Sequence, residues 1–84
     1  MKYNVFDQVV LASDVPEHDL RVGDIGTIVD HFYKGENTED GYALEFFNAL
    51  GDTIVVTILP ESSLTSFTSD EILAVRHRAV PLAA

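Results

Sequence analysis

The chain has 84 residues, with 14 acidic side chains against five basic ones and a net charge of −9. Such a surface repels phosphates, which argues against nucleic acids and anionic membranes as partners and favours a basic protein partner. The chain has no cysteine, and 46% of its residues are hydrophobic. One small domain must therefore be stabilised by a dense apolar core without disulfides.

The N-terminal stretch MKYNVFDQVVLASD lacks the apolar centre of a secretory signal. No apolar run approaches the roughly 18 residues of a membrane span. We therefore expect a cytoplasmic protein without a cofactor. A single domain is expected over residues 1–78, with a frayed tail over 79–84.

The first predicted strand is FDQVVLAS, residues 6–13, in which Val9 and Leu11 share a face. The next segment, DVPEHDLRVGD, is predicted to be a loop because Pro16 fixes its own backbone and extends the residue before it. Leu20 is its apolar anchor. The loop thus separates two strands.

The stretch RVGDIGTIVDHF begins a second strand. Gly23 is predicted to close a turn. Ile25 and Ile28 both have the character of core residues, although strict alternation places them on opposite faces. A bulge or sharp bend at Gly26 would resolve this conflict. A phosphate-binding loop is disfavoured because these glycines precede a strand rather than a helix.

The polar stretch YKGENTEDG, residues 33–41, predicts a hairpin loop. The strand YALEFFN follows, with Tyr42, Leu44 and Phe46 on one face. Gly51 is a turn residue before TIVVTILP, the clearest strand pattern in the chain.

ESSLTSFTSDE predicts a short 3₁₀ or helical turn, and EILAVRH, residues 71–77, predicts the last strand. Five short strands with frequent turn signals indicate an all-β fold. The order of elements favours a small five-stranded SH3-like barrel with one 3₁₀ or helical turn before the last strand.

The stretches VVLASDVPEHDLRVGDIGTIVDHF, YALEFFNALGDTIVVTIL and ILAVR occur in an order that resembles a small bacterial family, domain of unknown function 4926. The resemblance covers residues 5–78 and implies the same barrel, but no activity. The stretch KGENTEDG departs from the family, in which this hairpin is often shorter.

The Gly-x-x-Gly-x-Ile strand is also similar to one in KOW-type ribosomal modules and one in the nitrile hydratase β subunit. KOW modules are basic, so their RNA binding does not carry over to this acidic chain. An accessory or subunit-like role is conceivable on fold analogy alone.

Catalytic and metal-binding patterns are missing from the sequence. His18, His31 and His77 have no local ligand spacing, which predicts surface histidines and no metal site. No serine lies in a nucleophile elbow. We therefore expect a protein that is not an enzyme.

Aromatic and acidic side chains concentrate around the central hairpin, and aromatic anchors favour protein binding. The predicted partner-binding residues are Tyr33, Glu36, Glu39, Asp40, Tyr42 and Phe47. Two alternatives stay open: the acidic loop over 35–41 either binds or merely solvates, and Phe47 either binds or packs inside. Glu45 is either a solvent-facing acid or a partly buried one.

Two functions are consistent with these patterns. The first is an interaction domain, in one version an antitoxin- or immunity-type protein that masks a basic enzyme. The alternative is an accessory subunit or small-molecule-binding module, like the nitrile hydratase β-subunit barrel. A monomer or weak homodimer is expected, and any pairing edge is expected at the first or last strand.

Overall fold

The computed structural model describes residues 2–78, and the tail predicted over 79–84 lies outside them. The strands are β1 (Gln8–Leu11), β2 (Ile25–Phe32), β3 (Gly41–Phe47), β4 (Thr53–Pro60) and β5 (Leu64–Thr65). Two 3₁₀ turns cover Pro16–His18 and Glu61–Ser63.

The five strands form one antiparallel sheet in the order β4-β3-β2-β1-β5, which curls into a half-barrel. The predicted all-β, SH3-like class is confirmed, and a 3₁₀ turn precedes the last strand. The sheet stays open in the described residues, since β4 and β5 each have a strand neighbour on one side.

The core lies on the inner face of the sheet and is centred on β3. Tyr42, Leu44 and Phe46 are buried there, as their alternation predicts. The N-terminal segment, the other strands and the loop after β1 contribute the remaining large core side chains, which are Tyr3, Val9, Leu11, Val15, Leu20, Ile28, Leu59 and Leu64. Short strands thus suffice because each contributes to one shared apolar cluster.

The bulge in β2 is not at Gly26, so that prediction was wrong. The pairing of β1 with β2 runs through Gly26 without a shift, and the β2–β3 register shifts between Ile28 and Asp30. Gly26 and Ile28 both face the core, while Ile25 is half-buried on the other face and requires no bend. A side chain at Gly26 would place its Cβ 2.8 Å from the Phe46 ring. Gly26 therefore permits close packing rather than a bend.

The prediction of a last strand over residues 71–77 is also wrong. The place beside β1 is taken by Leu64 and Thr65, which pair with Leu11 and Val10 directly after the second 3₁₀ turn. Residues 66–78, which we call the C-terminal arm, carry neither helix nor strand. Sequence alternation cannot show that an edge is already occupied.

Two tight turns depend on glycine. Gly23, between β1 and β2, has φ of +93°, and Gly51, between β3 and β4, has φ of +90°. Side chains rarely adopt this left-handed region, so a Cβ would strain either turn. The two turns set the direction in which β2 and β4 begin.

Candidate functional site

The acidic loop between β2 and β3 is held in place by its own carboxylates. The Glu39 carboxylate accepts hydrogen bonds from the Ser62 backbone N–H at 2.7 Å and from the Ser62 hydroxyl at 3.0 Å. The Glu61 N–H donates to the Asp40 carbonyl at 2.9 Å. Glu36 is exposed. The loop is therefore anchored to the 3₁₀ turn that follows β4.

Asp40 also binds His31, a residue expected only to be a surface histidine. His31 Nε2 lies 2.7 Å from Asp40 Oδ2, and this hydrogen bond lowers the pKa of Asp40. The imidazole packs on Tyr42, with ring centroids 5.0 Å apart. The contact between His31 and Tyr42 could have been expected from strand register, because the two residues pair across β2 and β3.

The prediction that Tyr42 contacts a partner was wrong, because its side chain is 0% exposed. Its hydroxyl accepts hydrogen bonds from the Lys2 and Tyr3 backbone N–H groups and donates one to Glu61 at 2.8 Å. Burial, supported by the bond to Glu61, raises the pKa of Tyr42. Tyr42 thus fastens the N-terminal segment to the core.

The aromatic patch predicted around the loop does not assemble. Tyr33 is 69% exposed and lies just after β2. Phe47 is also exposed, but it is the last residue of β3, at the opposite end of the strand from the loop. It lies about 20 Å from Gly41, the first residue of β3, because a strand rises about 3.4 Å per residue. The structure therefore brings Glu39, Asp40 and Tyr42 to one end of the sheet and places Phe47 at the other.

A different exposed surface lies on β4. None of its eight residues is charged, and β3 is its neighbour in the described sheet. Val56 and Ile58 are 60% and 57% exposed on the outer face. We call the free β4 edge with these two side chains the β4 patch. Sequence reasoning missed it because TIVVTILP has the pattern of a buried strand.

Polar and acidic groups surround the β4 patch. Asp52 and Glu61 immediately precede and follow the strand. Glu45 lies opposite Val56 on β3, is half-buried, and accepts a hydrogen bond from the Thr53 hydroxyl. An uncharged strand is thus bounded by carboxylates at both ends.

Within residues 2–78, no three His, Cys, Asp or Glu side chains are arranged to hold a metal ion. In the same part of the chain, no helix has the length and apolarity needed to cross a membrane.

These features define a small all-β half-barrel with an open, uncharged edge. The chain belongs to the family Domain of unknown function (DUF4926), whose model matches residues 5–66. The match ends at residue 66, the first residue of the C-terminal arm, whereas the resemblance noted in the sequence extended to residue 78. No match was found among curated proteins or solved structures.

Proposed function

We propose that this protein is a non-enzymatic interaction domain that binds a basic protein segment by adding it as a strand to β4. The carrying observation is the β4 patch, an eight-residue edge without a charged side chain. Unpaired N–H and C=O groups on an edge can bond to an incoming strand, while side-chain contacts give selectivity.

The other edge of the sheet is a weaker candidate. β5 has two residues, so it offers few backbone groups to a partner. Natural proteins protect exposed edges with short strands, charges or prolines. β4 is long, and its proline, Pro60, stands at the last position. The register of β4 against β3 shifts between Thr53 and Val55, so residues 55–59 are the part of this edge without a bulge, charge or proline.

The charges around β4 favour a basic partner over a second copy. If two copies paired antiparallel through β4 in full register, Asp52 of each would face Glu61 of the other, which is repulsive. A strand with lysine or arginine near its ends would instead meet a carboxylate at each end. The net charge of −9 would also speed the encounter.

In its most specific form, this proposal describes an antitoxin- or immunity-type protein that masks a basic enzyme. Small size, strong acidity and the absence of a catalytic sequence pattern support this form. An inhibitory complex would cover the partner's active site. The enzymatic activity of the isolated partner should therefore fall when this chain is added.

Site-specific photo-crosslinking tests the surface. Benzoylphenylalanine replaces Ile58 in one variant and Leu50, an exposed turn residue, in the control. We expect one basic protein to be crosslinked in host lysate at Ile58 and not at Leu50, with loss of the adduct when Val56→Lys is added. Equal labelling at both positions, or no adduct at Ile58, would contradict the proposal.

Amide hydrogen exchange on the purified complex then tests strand addition itself. Free-edge amides of β4 should become protected, since they would donate to the added strand. Glu36→Lys, on the exposed loop, should slow association without changing dissociation. Protection confined to the amides of the acidic loop would contradict docking at β4 and place the docking site on that loop.

A further inference from the structure

One backbone hydrogen bond at the end of β4 fixes which of its peptide groups face the free edge. The Glu61 N–H donates to the Asp40 carbonyl at 2.9 Å. Pairs in an antiparallel ladder alternate between those that exchange both backbone hydrogen bonds and those whose N–H and C=O groups point away from each other. Gly41 and Pro60 form the pair next to this bond, so they belong to the second kind.

Every second residue of β4, counted back from Pro60, therefore points its backbone away from β3. The register against β3 is regular over residues 55–60, so Ile58 and Val56 have the same orientation as Pro60. Their N–H and C=O groups lie on the free edge, whereas Thr57 between them bonds to β3. The two residues with free backbone groups are also those with exposed side chains on the outer face.

The position of Pro60 supports this assignment independently. Proline has no N–H, and within sheets it is found where that group would face solvent. At position 60 the missing donor would lie on the free edge, so the pairing of β3 with β4 loses no hydrogen bond. Over residues 55–60 the edge therefore offers the N–H groups of Val56 and Ile58, and the carbonyls of these two residues and of Pro60.

The side chains at this edge differ between the two faces of the sheet. Val56 and Ile58 project from the outer face. Thr57 lies between them on the inner face and is half-buried. A strand paired here would place two side chains, two residues apart, beside Val56 and Ile58, and the side chain between them beside Thr57. Apolar side chains match the first two positions, and a small polar one matches the third.

Carboxylates lie near both ends of this short edge. Glu45 is opposite Val56 and accepts a hydrogen bond from the Thr53 hydroxyl, which keeps its charge beside the start of β4. Glu61 follows the last residue of β4. Neither carboxylate forms an ion pair in the part of the chain that the structure describes. A lysine or arginine two residues before or after the apolar pair would meet one of them.

We infer, on the basis of the proposed strand addition, that the β4 patch selects an antiparallel segment with the pattern basic-x-apolar-x-apolar-x-basic. Its two apolar residues exchange four backbone hydrogen bonds with Ile58 and Val56, and a fifth bond ends on the Pro60 carbonyl. The antiparallel direction continues the sheet, in which all four strand pairings are antiparallel. Antiparallel pairs are also slightly more stable than parallel ones.

A synthetic peptide, acetyl-Lys-Thr-Val-Thr-Val-Thr-Lys-amide, tests this pattern. Its sequence reads the same in both directions, so its side chains favour neither direction of pairing. Titrated into the ¹⁵N-labelled full chain, it should bind saturably at one site, with NMR shifts centred on Val56 and Ile58. A peptide of the same composition, acetyl-Lys-Val-Thr-Thr-Thr-Val-Lys-amide, lacks the apolar pair and should bind about tenfold more weakly.

Backbone N-methylation of the peptide distinguishes the two directions. In an antiparallel pair, the valine opposite Val56 donates its N–H to β4, and the N–H of the central threonine points away. In a parallel pair these two roles are exchanged. N-methylation of that valine should therefore weaken binding about tenfold or more, whereas N-methylation of the central threonine should change it by less than about twofold. The reverse order would overturn the antiparallel direction.

Amide exchange in the free chain tests the assignment of the edge before any peptide is added. The Val56 and Ile58 amides should exchange faster than the Thr57 amide, and they should slow when the peptide binds. Slower exchange at Val56 and Ile58 than at Thr57 in the free chain would overturn the assignment.

Two variants locate the peptide on the chain. Val56→Lys should abolish peptide binding, since it places a cation beside a basic strand. Leu50→Lys, at an exposed turn outside β4, is the matched control and should bind like the native chain. The amide spectrum of each variant establishes that it is folded. Equal binding by both variants, or no saturable binding by the native chain, would overturn the selected pattern.

Failure of this pattern is distinguishable from failure of strand addition. If Ile58 crosslinks a basic protein in lysate while the peptide binds no better than its control, β4 remains the docking site and the selected pattern is wrong. Absence of an adduct at Ile58 would instead remove strand addition itself.

Discussion

β3 and β4 are adjacent strands of similar length that the fold treats differently. β3 has neighbours on both sides, and Tyr42, Leu44 and Phe46 are each at most 1% exposed. β4 is richer in β-branched residues, yet Val56 and Ile58 are more than half exposed. The more typical strand sequence is therefore the less buried strand.

The difference shows that burial depends on position in the sheet as well as on composition. A central strand is covered along both edges by its neighbours, whereas an edge strand leaves one row of backbone groups free. The inner face of β4 still contributes Leu59 to the core. On its other edge, no strand of residues 2–78 pairs with β4.

The largest expected effect comes from truncating β3 inside the core. Phe46→Ala should reduce the free energy of unfolding by about 3–5 kcal/mol, because it removes buried area and leaves a cavity. Val56→Ala on β4 should change it by less than about 0.5 kcal/mol, since the side chain is exposed. Urea denaturation measures both, and equal losses would contradict the contrast. Phe46→Leu provides a milder variant.

Gly26→Ala tests the contact between β2 and β3. The added Cβ would lie 2.8 Å from two atoms of the Phe46 ring, so we expect a loss of about 1–3 kcal/mol. Combining it with Phe46→Leu should reduce this cost, because the shorter side chain vacates the contact. Additive losses in that double-mutant cycle would show that Gly26 serves backbone geometry instead.

Tyr42→Phe removes a hydroxyl that accepts two backbone N–H groups and donates to Glu61. We expect a loss of about 1–2 kcal/mol, since buried donors lose their acceptor. Tyr33→Phe, at an exposed position, is the control and should be neutral within about 0.5 kcal/mol. Equal effects in thermal denaturation would place the stabilising role elsewhere.

The same hydroxyl makes stability depend on alkaline pH. Burial raises the pKa of Tyr42 above its ordinary value of 10.0. Stability is therefore fully present below about pH 10 and declines as pH rises through the raised pKa, because the unfolded state loses this proton first. Denaturation between pH 8 and pH 12 should show a flatter decline for Tyr42→Phe, and an unchanged slope would exclude Tyr42 as the cause.

The smallest expected effect on folding accompanies a large effect on binding. Val56→Lys should alter stability by less than about 0.5 kcal/mol, because its side chain is already mostly exposed. It should nevertheless abolish crosslinking through Ile58, since a charge on the edge protects it and repels a basic strand. Retained binding with unchanged folding would remove β4 from the proposed interface.

The sequence predicted β3 well because its large apolar side chains alternate with period two, and burial follows from that alternation. It failed at Gly26, because packing against Phe46 is a long-range contact that no local pattern encodes. It failed at residues 71–77, because Leu64 and Thr65 already pair with β1. The position of the acidic loop could be read from the sequence, whereas the β4 patch could not.

The all-β class, the turn glycines and the inward face of β3 could be derived from the amino-acid sequence, since local backbone preferences and alternation set them. The burial of the Tyr42 hydroxyl, the position of β4 at the edge of the described sheet and the pairing of Leu64 and Thr65 with β1 required the tertiary structure. These features depend on which strands become neighbours and which edges stay open. That choice is made by contacts between residues far apart in the chain.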